Sequence, residues 1–150
     1  MTFHGIAAHA AFAPDRGRSA LDAVMLTGTG IEYLREHVPS STRIHYIVSK
    51  GGVAPNVVPD LAELYVFARS PDLTILDGVF ARLQKIAEGA ALMTETRLET
   101  QVTGGDANIL ANDVLAQVAQ RNLEQVGGFR YTEQEKVFAL DVQRTLPVEG

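Results

Sequence analysis

The sequence predicts an α+β domain in which four strands and two helices follow one another as β-α-β-β-α-β. Three observations carry this. The runs "TRIHYIVSK" and "LAELYVFARS" sit back to back and alternate apolar with polar residues, as neighbouring half-buried strands do. Each is flanked on its outer side by a segment whose apolar residues recur every three or four positions, the helical spacing. Shorter strand-like runs, "TFHGIAAH" and "TRLETQV", lie beyond those helices.

Taken in order, Thr2 to His9 reads as a first strand. "APDRGR" breaks it, because Pro14 and Gly17 punctuate a turn, and Arg16 and Arg18 read there as solvated charge. Ser19 with Asp22 predicts a capped helix start. Leu21, Val24, Met25, Gly28, Ile31, Leu34 and Val38 form its stripe, Gly28 and Gly30 inviting close approach of another backbone, and Pro39 ends it. In the second strand Ile44, Tyr46 and Val48 share one face; in the third, Leu64, Val66 and Ala68 share one and Glu63, Tyr65, Phe67 and Arg69 the other. Asp72 caps the strongest helix, with Leu73, Leu76, Val79, Phe80, Leu83, Ile86, Ala87 and Ala90 in one stripe. "TRLETQV" closes the unit near Thr103. This is the split βαβ, or ferredoxin-like, pattern: a four-stranded antiparallel sheet with two helices. Residues 105–150 read differently, as two amphipathic helices. Gly127 stops the first, and Thr132 with Glu135 forms a capping box for the second. The division expected is therefore 1–104 and 105–150.

Composition narrows the function. The chain has 150 residues, 46% hydrophobic and 21% charged, which is an ordinary globular balance. A formal net charge of -5, from 13 basic and 18 acidic residues, argues against nucleic acid as a partner. No apolar stretch reaches the ~18 residues that span a bilayer, and no basic run invites a membrane surface. "MTFHGIAAHA" lacks the features of a signal peptide, so a cytoplasmic location is expected. With no cysteine, disulfides and thiolate metal sites are excluded.

Few residues offer chemistry. His9 stands at a strand end among alanines; by spacing alone a single histidine is more often structural than functional. In "GGVAPNVVPD", Pro55 and Pro59 fix the chain on both sides of Asn56. Such a loop either orients a substrate carbonyl or carboxylate through the amide, or is a plain inter-strand turn. Arg69, at a strand end, can grip a carboxylate in bidentate fashion or pair with Glu63 or Asp72. No phosphate loop, dinucleotide fingerprint or nucleophile elbow occurs, and the histidines and carboxylates do not assemble a hydrolytic metal site.

The segments "GIAAHAAFAPDRGRSALDAV", "GGVAPNVVPDLAELYVFARSP" and "KIAEGAALMTET" resemble the lid domain of the dizinc amidohydrolases and metallopeptidases that include carboxypeptidase G and the aminoacylases. The likeness runs from Phe3 to about Leu146. It implies a homodimer, and a parent enzyme whose other domain carries a zinc pair and a glutamate base and cleaves an amide bond of an N-acyl or aminobenzoyl amino acid. It implies that His9 enters the partner's active site as an oxyanion contact, and that Asn56 and Arg69 bind substrate. None of the metal motifs of that family is present. The chain is thus expected to be a piece of the parent that binds no metal and no cofactor, is inactive alone, and serves dimerisation and substrate covering. Residues 105–150 are expected to belong to the catalytic domain. The competing expectation is a stand-alone ferredoxin-like ligand-binding or assembly module. Under either, "TRIHYIVSK" is the strand expected to lie at a sheet edge and to pair with a second copy.

Overall fold

A computed structural model describes residues 1–146. The chain divides into two compact units, Met1–Asn108 and Ile109–Gly150. In the first, β1 (Thr2–His4), α1 (Ala20–Arg35), β2 (Arg43–Lys50), β3 (Leu61–Arg69), α2 (Leu73–Thr94) and β4 (Arg97–Glu99) follow in the expected order. The sheet runs β2-β3-β1-β4 with every neighbouring pair antiparallel, which is the ferredoxin-like arrangement. β2 is an edge strand, as its sequence predicts.

The two helices cover one face of the sheet. Phe3, Ile44, Ala62 and Leu64 from the strands close against Ala20, Ala23, Val24, Ile31 and Leu34 of α1 and Val79, Leu83, Ala87 and Ala91 of α2. Each large side chain so buried contributes about 1.5–3 kcal/mol. The α1 stripe is rotated from the one expected: Ala20, Ala23 and Thr27 face inward, whereas Met25 is exposed. Small residues line that face because α1 lies close on its neighbours. A Cβ on Gly28 would stand 3.0 Å from the Tyr46 hydroxyl, and one on Gly30 2.5 Å from Ile86 Cγ2. The close approach expected at these glycines is to side chains, not to another backbone. α1 also ends at Arg35, four residues before Pro39.

Capping follows the sequence. Ser19 Oγ accepts from the Asp22 amide at 3.1 Å, and Asp72 accepts from the amides of Thr74 and Ile75 at 2.7 and 3.3 Å. Arg18 is not merely solvated: its Nε donates to Glu95 at 2.8 Å, and Glu95 is the left-handed residue that closes α2. β1 and β4 are each three residues long, shorter than the runs that predict them.

In the second unit, α3 (Asp113–Val126) is capped by Asn112, whose side chain accepts from the Leu115 amide at 2.9 Å. Gly127, at φ 83°, ends it. α4 (Glu133–Gln143) opens on the expected capping box: Thr132 Oγ1 accepts from the Glu135 amide, and Glu135 accepts from the Thr132 amide. Within this unit every described side chain is exposed, including Val114, Leu115, Val126 and Phe138. No helix of the described residues is long and apolar enough to cross a membrane.

Candidate functional site

Past His4 the chain leaves the regular ladder but stays beside the segment that leads into β3. The Gly5 amide donates to the Asp60 carbonyl at 2.8 Å, the Val58 amide to the Ala8 carbonyl at 2.9 Å, and the Ala10 amide to the Asn56 carbonyl at 2.9 Å. His4 faces Leu61 and His9 faces Val57. Five steps on one side thus match four on the other, so one extra residue bulges out between His4 and His9. Because of that bulge the expected strand Thr2–His9 is regular only to His4. On the opposite flank Ile6 and Arg18 exchange both backbone bonds, at 2.8 and 2.9 Å. The stretch from Gly5 to Ala10 is therefore held from two sides by backbone alone.

This brings His9 and Asn56 to one end of the sheet, on adjoining segments. Both side chains are exposed. The His9 ring is held locally. Its Nδ1 accepts from the amides of Ala11 at 3.2 Å and Phe12 at 3.3 Å, its carbonyl accepts from the Ala13 amide at 3.0 Å, and its ring lies 4.5 Å from that of Phe12. Nε2 has no partner among the described residues. Ala11 and Phe12 have no chemistry that sequence reasoning could single out. The one signal available is that His9 opens a short turn, a position where a side-chain acceptor serves the free amides.

Arg69 lies elsewhere. It ends β3, the full length of that strand, roughly 27 Å, from the start of β3 that adjoins the His9 segment. It pairs in register with Arg43, and its guanidinium stands 5.7 Å from the centre of the Phe67 ring. Neither acidic neighbour engages it: Glu63 contacts Lys50 and Ser49, and Asp72 caps α2. Beside this end is a cleft of about 310 Å³ whose lining includes Arg35, Thr42, Arg43 and His45. One end of the sheet thus carries a histidine and an amide, the other a cluster of cations. Among the described residues no three His, Asp or Glu side chains converge to hold a metal ion, and no step below is routed through one.

Comparison with known proteins fits this geometry. Residues 1–95 match the family model described as the peptidase dimerisation domain. Over 145 residues the chain is 43% identical to a p-aminobenzoyl-glutamate hydrolase polypeptide of Escherichia coli (strain K12), covering 96% of this chain and 30% of that protein. It is 31% identical over 126 residues to the Xaa-Arg dipeptidase of Mus musculus, covering 83% of this chain and 29% of the relative. Among solved structures, the aminobenzoyl-glutamate utilization protein from Klebsiella pneumoniae superposes with a TM-score of 0.55 at 34% identity, covering 64% of this chain and 24% of that one. The chain spans less than a third of the length of these relatives.

Proposed function

This chain belongs to the peptidase dimerisation domain family, and from that premise we propose that it is the lid and dimerisation unit of an amidohydrolase acting on an N-acyl or aminobenzoyl amino acid. We assign the zinc pair and the glutamate base of such an enzyme to its catalytic domain. There the metal supplies the activation of water. Residues 105–150 would belong to that domain, which accounts for apolar side chains such as Val114, Leu115 and Phe138 lying exposed. The chain alone would hydrolyse nothing.

The observation that carries the reading is the placement of the three polar residues at opposite ends of β3. β2 is a free edge running antiparallel to β3, so Arg43 lies at the Arg69 end and Lys50 at the His9 end. A two-fold axis that pairs β2 with a second β2 sets the His9 end of one copy beside the Arg69 end of the other. Each such end then holds a hydrogen-bond donor for a developing oxyanion (His9), an amide for a substrate carbonyl (Asn56) and a cation for a carboxylate (Arg69), drawn from two chains.

The test uses the full-length parent. Subunits carrying His9→Ala and subunits carrying Arg69→Ala should each lose about 10²-fold or more in kcat/KM. Mixed, they should regain roughly a quarter of wild-type activity, because half of randomly paired dimers then contain one intact composite site. A mixture no more active than the separate variants would overturn the shared site.

A further inference from the structure

We infer that Ala11 and Phe12 are positioning residues that lock His9 into one tautomer, with its ring proton on Nε2 and directed away from its own chain. Two backbone amides point at Nδ1, from 3.2 and 3.3 Å. An amide N–H can only donate, so Nδ1 must accept, and the proton of the neutral ring is confined to Nε2. The His9 carbonyl takes the Ala13 amide at 3.0 Å, so Ala10 to Ala13 wind through a single turn that His9 caps with its ring. His9 thus does what an asparagine or serine does at a helix start, and keeps a second nitrogen free while doing so. The Phe12 ring, 4.5 Å away and tilted by 43°, closes one side of the imidazole although it is itself 87% exposed. A large apolar ring left in water needs a reason, and its contact with His9 supplies one.

The consequence is a donor of fixed identity. An imidazole free to exchange tautomers offers a substrate oxygen a proton only part of the time, while a clamped one offers it always. The inference rests on the proposed role of His9, but the clamp is a property of this chain and is measured without activity.

The experiment is long-range proton–nitrogen correlation on the ¹⁵N-labelled chain at a pH where its histidines are neutral, with amide hydrogen exchange beside it. His9 should show one pure state, Nε2 protonated and Nδ1 bare, while the exposed His37 and His45 serve as internal references. The Ala11 and Phe12 amides should be protected, lose about ten-fold of that protection in His9→Ala, and regain it in His9→Asn, whose side-chain oxygen can accept the same bonds. A proton on Nδ1, or exchange of both amides unaltered by His9→Ala, would overturn the clamp. Failure of the mixed-dimer test would leave this spectrum untouched, so the two ideas fall separately.

Discussion

Gly5 lies so close to Arg18 that a Cβ built on it would stand 1.9 Å from the Arg18 carbonyl oxygen. That oxygen accepts the Ile6 amide at 2.8 Å, and the Arg18 amide returns a bond to the Ile6 carbonyl. The two strands of chain can therefore separate only by losing both bonds. Gly5→Ala should destabilise the fold by about 3 kcal/mol or more, and lower the melting temperature by roughly 10 °C or more. Calorimetry measures it. Gly78, inside α2 with nothing within 4 Å of its would-be Cβ, provides the contrast. Gly78→Ala should raise stability by up to about 1 kcal/mol, since only chain entropy and helix propensity change.

The start of α2 depends on a single carboxylate. Asp72 accepts from two amides that no helical carbonyl can serve. Asp72→Ala should cost about 1 kcal/mol and Asp72→Asn less, since asparagine caps nearly as well. Urea unfolding of the variants decides it; equal losses for the two would show that the charge, rather than the hydrogen bonds, does the stabilising.

The sheet and its helices were legible because strand and helix periods differ and because Ser19, Asp72 and Thr132 mark their helix starts. The face assignments of β2 and β3 followed from alternation alone. What periodicity could not reveal was set by close contact between distant segments. The inward face of α1 uses Ala20, Ala23 and Thr27, residues with little hydrophobic signal, because their small size is what the packing requires. The bulge before His9 exists because of Arg18 and Val57, which lie far along the chain. Of the site, the pairing of His9 with the Asn56 loop needed the resemblance to bring it forward; spacing gave no reason to join them. The Nδ1 clamp involves backbone amides, on which a sequence is silent.

Self-association should run through β2. Ile47 sits near the middle of that edge strand with its side chain on the open face of the sheet, 61% exposed, beside Tyr65 and Phe67. An antiparallel two-fold about the strand centre would bring the two copies of Ile47 near one another. Ile47→Lys would then place like charges together while leaving the core face, Ile44 and Leu64, unaltered. Light scattering over a concentration series should show dimerisation weakened about ten-fold or more in the variant, with the melting temperature of the monomer nearly unchanged. Equal association of both chains would move the interface away from β2.

Acid should act on the exit of that same strand. Between Val48 and Lys50 the ladder slips, and Glu63 holds the irregularity: it accepts from Ser49 Oγ at 2.5 Å and lies 3.5 Å from Lys50 Nζ. The Ser49 hydrogen bond, aided by the Lys50 charge and opposed by partial burial, sets its pKa below the usual glutamate value of 4.5. A carboxyl whose pKa is lower folded than unfolded binds fewer protons in the native state. Its contribution is therefore full above pH 4.5 and is lost as the pH falls through the folded value. Stability measured from about pH 6 down to about pH 3 should decline, and Glu63→Gln should flatten part of that decline while starting from a lower stability at the upper end. A Glu63→Gln chain whose acid slope matches that of the wild type would show that other carboxylates, and not this one, carry the acid sensitivity of the β2 exit.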